Sequence, residues 1–233
     1  MRRFFILIIL ITTLFNASYA QNDVTTFLGI PVDGYKNEMK QKLINKGFVY
    51  DSNNDCFDGE FNGYDVSLYI ATNNNKVWRI MLADKHQVNE TDIKIRFNKL
   101  CSQFSNNKKY TAANFMDFTI PSDENISYEM LVNKKRYEAA FCQEPNMEMV
   151  DTIALQQKIK DAVFEKFTKE QIDNPTEEEK NEIEVAARAA ALLYSWELME
   201  KKSVWFMINE IYGKYYISMF YDNEYNRANG EDL

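Results

Sequence analysis

Cys56-Phe57-Asp58-Gly59-Glu60-Phe61-Asn62-Gly63-Tyr64-Asp65-Val66-Ser67-Leu68-Tyr69-Ile70-Ala71 holds the strongest hairpin signal in the chain. Asn62-Gly63 stands between two runs of alternating, aromatic and β-branched residues, and both turn residues accept the positive φ of a type I′ turn. Strands Cys56 to Phe61 and Tyr64 to Ala71 are therefore expected to fold back on each other. Outward from this pair, Phe48 to Tyr50 precedes it as a short strand, and Lys76 to Asp84 follows after the turn Asn73-Asn74-Asn75. Upstream, a helix is expected from about Tyr35 to Lys46, with Met39, Leu43 and Ile44 on one side, Asp33 or Gly34 as its cap and Gly47 as its stop. Downstream, Glu90 to Phe104 presents Ile93, Phe97, Leu100 and Phe104 at helical spacing.

The second half reads as a repeat of that scheme with an interruption. Tyr110 to Ile120 is irregular or one edge strand. Ile126 to Val132 and Arg136 to Cys142 read as a hairpin turning at Asn133-Lys134, and Val204 to Glu210 pairs with Lys214 to Tyr221 through Tyr212-Gly213. The expected fold class is α+β, with antiparallel meander sheets and packed helices. Tandem helix-plus-four-strand units at 21–105 and 106–233 are expected to form one compact globule. A helical pair is inserted into the second unit at about 149–200. Its first helix carries Leu155, Ile159, Val163 and Phe167 at steps of four; its second starts at Thr176, with Glu179 three residues on as a capping box and Pro175 at the boundary.

That second inserted helix is apolar on two faces. One holds Ile183, Ala187, Ala190, Tyr194 and Leu198, the other Val185, Ala189, Leu192, Trp196 and Met199, with a narrow polar strip around Asn181, Glu184, Arg188 and Ser195. Such a helix must be covered on two sides. Packing of the helical pair against the sheet would account for this. The sharper expectation is that Trp196, Leu192, Met199 and Val185 meet another protein, as buried aromatics do at binding hot spots.

Arg2 and Arg3 precede the apolar run Phe4 to Phe15, and Ser18-Tyr19-Ala20 offers small residues for cleavage. Residues 1–20 thus read as a secretory signal peptide cut near Ala20. The run is shorter than the roughly 20 apolar residues of a membrane span, and Gln21 stands where a lipoprotein would need cysteine, so no stable membrane anchor is expected. Loss of Arg2 and Arg3 leaves 25 of the 27 basic residues against 35 acidic ones, a formal charge of −10. Neutralising phosphates takes clustered lysine and arginine. The richest cluster, Lys134-Lys135-Arg136, reads as a solvated hairpin tip. Nucleic acid is not an expected partner, and an anionic lipid surface repels such a chain. The expected location is the periplasm or the extracellular medium.

Chemistry-bearing motifs are few. With His86 as the only histidine, neither the multi-histidine set of a zinc hydrolase nor a histidine-based serine triad can be assembled. Gly-x-Ser-x-Gly and phosphate-cradling glycine loops are missing as well. No catalytic residue, metal ligand or cofactor is assigned. Asp51-Ser52-Asn53-Asn54-Asp55 alternates oxygen ligands as calcium loops do, but Cys56 stands where the turn glycine belongs and Asn62 where the bidentate glutamate belongs, so a polar connection is the simpler reading. Asn89-Glu90-Thr91 and Asn125-Ile126-Ser127 match the glycosylation triplet, the former reading better as a helix cap. Cys101 falls on the apolar stripe of its helix, which leaves Cys56 with Cys142 as the one pairing to test in an oxidising compartment.

The opening Phe27-Leu28-Gly29-Ile30-Pro31-Val32-Asp33-Gly34, the strand Lys76 to Asp84 after Asn73-Asn74-Asn75, and the tail from Tyr221 to Leu233 resemble a group of small exported αβ proteins of gut bacteria with no assigned function. In element order the chain is similar to the beta-lactamase inhibitor protein and to small outer-membrane assembly lipoproteins, which act by binding other proteins. This resemblance carries no functional residue. The reading left by the exclusions is an exported, non-enzymatic protein-binding module, an inhibitor or envelope-assembly factor whose partner is another envelope or secreted protein. The alternatives are an envelope hydrolase using two convergent carboxylates with their proton affinities pushed apart, and a carrier holding a small ligand in an apolar pocket.

Overall fold

The structure is a computed structural model that describes residues 22–228; the leader expected over residues 1–20 lies outside the described residues. It comprises two compact units, a body built from Val24–Glu144 and the chain from Met199 onward, and an insertion, Pro145–Leu198.

The body opens with a two-stranded pair, β1 (Thr26–Phe27) and β2 (Ile30–Pro31), followed by α1 (Lys36–Asn45). α1 stops where Gly47 takes φ 96°, as its sequence required. Its start differs from expectation: Tyr35 is the N-cap with no side-chain bond, and Asp33 accepts the Gly34 N–H instead. The meander β3 (Val49–Asp51), β4 (Cys56–Phe61), β5 (Tyr64–Asn73) and β6 (Lys76–Asp84) comes next, with Asn62 and Gly63 at φ 54° and 79° in the hairpin turn. α2 (Glu90–Ser105) is capped by Asn89, whose side chain accepts from the Asp92 N–H. β7 (Tyr110–Ala112), the short α3 (Ile126–Leu131), β8 (Glu138–Gln143), β9 (Ser203–Ile211) and β10 (Lys214–Asp222) complete the body. Between β8 and β9 lie α4 (Thr152–Lys166), α5 (Lys169–Asp173) and α6 (Glu177–Glu200).

One antiparallel sheet of eight strands results, in the order β3-β4-β5-β6-β10-β9-β8-β7. With α2 counted in the second half, so that the halves divide before Glu90 rather than at 105/106, each half supplies a helix and then four strands. The last strands of the two halves, β6 and β10, pair at the centre with Tyr221 opposite Ile80 and Ser218 opposite Ala83. The tandem scheme is therefore present, interrupted by the inserted helices. Period-two burial sets the core face: along β9, Val204, Phe206 and Ile208 are buried while Trp205, Met207 and Asn209 are half-buried. Met39 and Leu43 of α1 and Ile93, Phe97 and Leu100 of α2 join them in one cluster with Leu68, Ile80, Ile217 and Tyr221.

Ile126 to Val132 is not a strand. Asn125 accepts the Tyr128 N–H, the Glu90 carboxylate takes the Ile126 N–H at 2.9 Å, and the segment winds into α3. Its β-branched and aromatic content favours a strand locally, but a capped start with only Ile126 buried decides for a helix turn. No hairpin turns at Asn133-Lys134. Lys135 pairs with Glu124, and Arg136 pairs with Glu138 at 2.9 Å, so two of the three basic residues are committed to neighbouring acids.

Asp84, the last residue of β6, has a buried side chain that forms a junction. Arg96 of α2 grips it with a fork of two bonds, one of 2.7 Å from Nε, and stacks over the Tyr64 ring, while the Ile217 N–H donates to the same carboxylate at 3.2 Å. This single group ties α2, β6 and β10 together.

The insertion has its own small cluster, Val163, Phe167 and Ala186, flanked by Ile159, Ile172, Ile183 and Ala187. The capping box at the start of α6 is formed: the Thr176 N–H donates to Glu179 at 2.8 Å, and the Glu179 N–H to the Thr176 hydroxyl at 3.2 Å. α5, absent from the sequence reading, starts with a second capping box, Thr168 with Gln171. Among the described residues no helix is long and apolar enough to cross a membrane.

Candidate functional site

The two apolar faces of α6 meet different fates. Ala186, Ala190 and Tyr194 are buried, with Ile183, Ala187 and Leu198 half-buried beside them. The opposite face is open along its middle: Val185, Leu192 and Leu193 are 67%, 64% and 65% exposed, and Ala189 between them is exposed too. Steps of four and three residues keep Val185, Ala189 and Leu192 on one side of the helix. Of the four residues expected at a partner surface, Val185 and Leu192 lie on this open stripe, and Trp196 is half-buried at its end. Met199 is corrected: it belongs to the body and is only 6% exposed, so it offers no surface. Leu193 was missed, although its place eight residues after Val185 was a legible signal.

The sheet face opposite α1 and α2 carries an aromatic cage. Trp78 is the extra residue where the β5–β6 register shifts at Ala71/Thr72, a bulge that turns Arg79 toward Asp222. The guanidinium forks onto that carboxylate with two bonds of 2.6 Å, and the Trp205 indole N–H donates to it at 3.0 Å. The Trp78, Phe220 and Trp205 rings lie 4.3, 4.9 and 5.4 Å from the guanidinium carbon. A cage suited to a cation is thus filled by the chain's own arginine, already neutralised by Asp222.

A cavity of about 420 Å³ is lined by Gly47, Val49, Asp58, Gly59, Asp65, Lys85 and His86. Lys85 pairs with Asp58 at 2.9 Å, the Ser67 hydroxyl donates to Asp58 at 3.1 Å, and the exposed His86 ring sits 3.2 Å from Asp65. The bond from Lys85 holds the Asp58 carboxyl below the ordinary carboxylate range. Asp51, Asp55, Asp117, Glu124 and Glu179 are also shifted down, each by the hydrogen bonds its carboxylate accepts. The acid of a glycosidase pair needs the opposite, a carboxyl raised so that it keeps its proton. The cavity's polar lining also differs from the apolar wall of a small-ligand carrier.

The carboxylates of the loop from Asp51 to Asp55 are engaged locally. Asp55 accepts from Lys36 at 2.6 Å, Lys40 at 2.9 Å and the Tyr50 hydroxyl at 2.7 Å, while Asp51 binds the Asn53 N–H and the Asn54 amide. Among the described residues no group of three or more histidine, cysteine or carboxylate side chains could hold a metal ion.

Cys56, Cys101 and Cys142 are free thiols. The pairing of Cys56 with Cys142 is corrected by topology: four strands stand between β4 and β8, which at about 4.8 Å per strand separates them by roughly 24 Å, far beyond disulfide reach. Cys101 is buried on α2 as its stripe position implied, and burial pushes its thiol up to about 12.

No family model, curated protein or solved structure matches the chain. The functional reading therefore falls to the chain's own surfaces.

Proposed function

We propose that the chain is an exported, non-enzymatic protein-binding module, delivered to the periplasm or the extracellular medium after cleavage near Ala20, with α6 as its contact surface for another envelope or secreted protein. The observation that supports this reading is the open stripe of Val185, Leu192 and Leu193 on a helix whose other face is buried. Apolar residues exposed singly are ordinary on a soluble surface, whereas several contiguous ones on one helix face fit helix-mediated recognition.

A photo-crosslinking residue placed at Leu192 in the native host tests it. One partner is expected at near-stoichiometric yield, and that yield should collapse when Val185→Ser is added. Exported, folded protein that crosslinks to nothing would remove the reading. N-terminal sequencing of the envelope fraction should begin at Gln21; an intact Met1 on cytosolic protein would remove the location.

A further inference from the structure

The insertion is also the acidic part of the molecule. Pro145–Leu198 carries twelve acidic and six basic residues, a net of −6, so 54 of the 213 residues left after cleavage near Ala20 hold more than half of the −10 total. The basic side chains around α6 are committed: Arg188 to Glu184, Lys180 to Glu177, and Lys158 to Glu197. Glu178 and Glu182 are exposed, about two turns and one turn before Val185 respectively, and no cation pairs with either among the described residues. The stripe is thus bordered by unneutralised negative charge.

From the binding-module reading, on which this step rests, we propose that the stripe of α6 receives an amphipathic helix of a partner protein whose apolar seam is bordered by lysine and arginine. Residues at steps of four, three and one from Val185 to Leu193 form a seam one helix wide, matched by the ridge of another helix. From Glu178 to Leu193 it extends over roughly four turns. A second copy of this chain fits poorly. Antiparallel pairing that sets Val185 against the copy's Leu192 also sets Glu177 against its Glu200, and parallel pairing sets Glu182 against Glu182, like charges in each case. An anionic lipid surface is repelled for the same reason.

Two synthetic peptides of about 20 residues, long enough to hold a helix, separate these outcomes in titration calorimetry with the full mature protein. Both carry the same leucine seam, bordered by lysine in one and by glutamate in the other. The lysine peptide should bind, and more weakly at high salt, while the glutamate peptide shows no measurable heat. Val185→Ser with Leu192→Ser should weaken binding about tenfold, and Glu178→Lys with Glu182→Lys should reverse the preference between the peptides. Equal binding of both peptides, binding by neither, or binding indifferent to the serine pair would overturn the inference, as would a dimer in sedimentation that dissolves on Leu192→Ser. A crosslinked partner at Leu192 combined with no lysine-peptide binding sinks the basic helix and leaves the module reading standing. Failure of both removes both.

Discussion

In the body, Phe206 lies 5.1 Å from the Phe97 ring, 5.6 Å from Phe104 and 6.1 Å from Phe141, wholly shielded from water. In the insertion, Leu192, a side chain of similar apolar character, is two-thirds exposed. The body's cluster runs unbroken from Phe27 to Tyr221, whereas the insertion's has three buried members, the largest of them Phe167. Covalently, the insertion occupies the place of a hairpin turn: β8 and β9 pair directly, and the Gln143 N–H reaches the Lys202 carbonyl at 2.9 Å across its base. The difference teaches that the repeated framework is self-sufficient, while the segment set into it spends apolar residues on its surface. A buried side chain in the body and an exposed one in the insertion should therefore respond very unequally to the same kind of truncation.

The largest effect is expected at Phe206. Phe206→Ala removes a ring from the centre of an aromatic stack that cannot collapse without moving α2 and should cost about 4 kcal/mol, read as a lowered urea midpoint. A loss below about 1 kcal/mol would mean that the body is loosely packed and would break the comparison.

Next comes the junction at Asp84. Asp84→Ala leaves the Arg96 guanidinium, itself 6% exposed, without its carboxylate, a situation that costs about 3 kcal/mol in buried pairs. The double change Asp84→Leu with Arg96→Met removes both charges and should recover much of that loss, because the penalty lies in the uncompensated charge rather than in the missing attraction. Equal instability of the single and double variants would show instead that the fork's geometry holds α2 in place.

A smaller effect is expected at Asp55, which lies half-exposed between Lys36, Lys40 and Tyr50. The bonds from Lys36, then Lys40 and Tyr50, depress its carboxyl below the ordinary 3.8. A depressed folded value contributes stability that is complete above 3.8 and fades as pH falls through the folded value. Solvent screening leaves less than about 1 kcal/mol of it. Stability of Asp55→Asn should therefore fall short of the parent's by that margin at neutral pH and converge with it in strong acid, followed by denaturant titration at several pH values.

What the sequence made legible was what is local. Asn62-Gly63 and Tyr212-Gly213 placed two of the hairpins, because positive φ at two successive residues is a demand few sequences meet. Thr176 with Glu179 placed the start of α6 by the same economy of a bond between near neighbours. α3 failed because six residues do not distinguish a period of two from one of 3.6, and the deciding group, Asn125, read equally well as part of a glycosylation triplet. Arg79 with Asp222 is separated by 143 residues and Arg96 meets Asp84 through tertiary packing, so neither fork leaves a trace in spacing. Pairing Cys56 with Cys142 by elimination carried no distance, and the sheet supplied one. The stripe on α6 was legible as apolarity at helical steps, but which of its residues would be covered was not: Met199 follows Val185 by about four turns on the same face, and only the fold buries one and leaves the other open.

The smallest expected effect on stability belongs to that open stripe. Val185→Ser with Leu192→Ser exchanges apolar for polar surface at positions already in water, where substitutions typically change stability by no more than about 0.5 kcal/mol. Serine has lower helix propensity than leucine, but valine lies close to serine, so the net propensity change over two sites is a few tenths of a kcal/mol. The urea midpoint should therefore be nearly that of the parent, while crosslinking to any partner from a photo-reactive residue placed at Ala189 is lost. A large drop in midpoint would show that the stripe is held against something in the folded chain. It would then be core rather than contact surface, and the contrast between body and insertion would vanish with it.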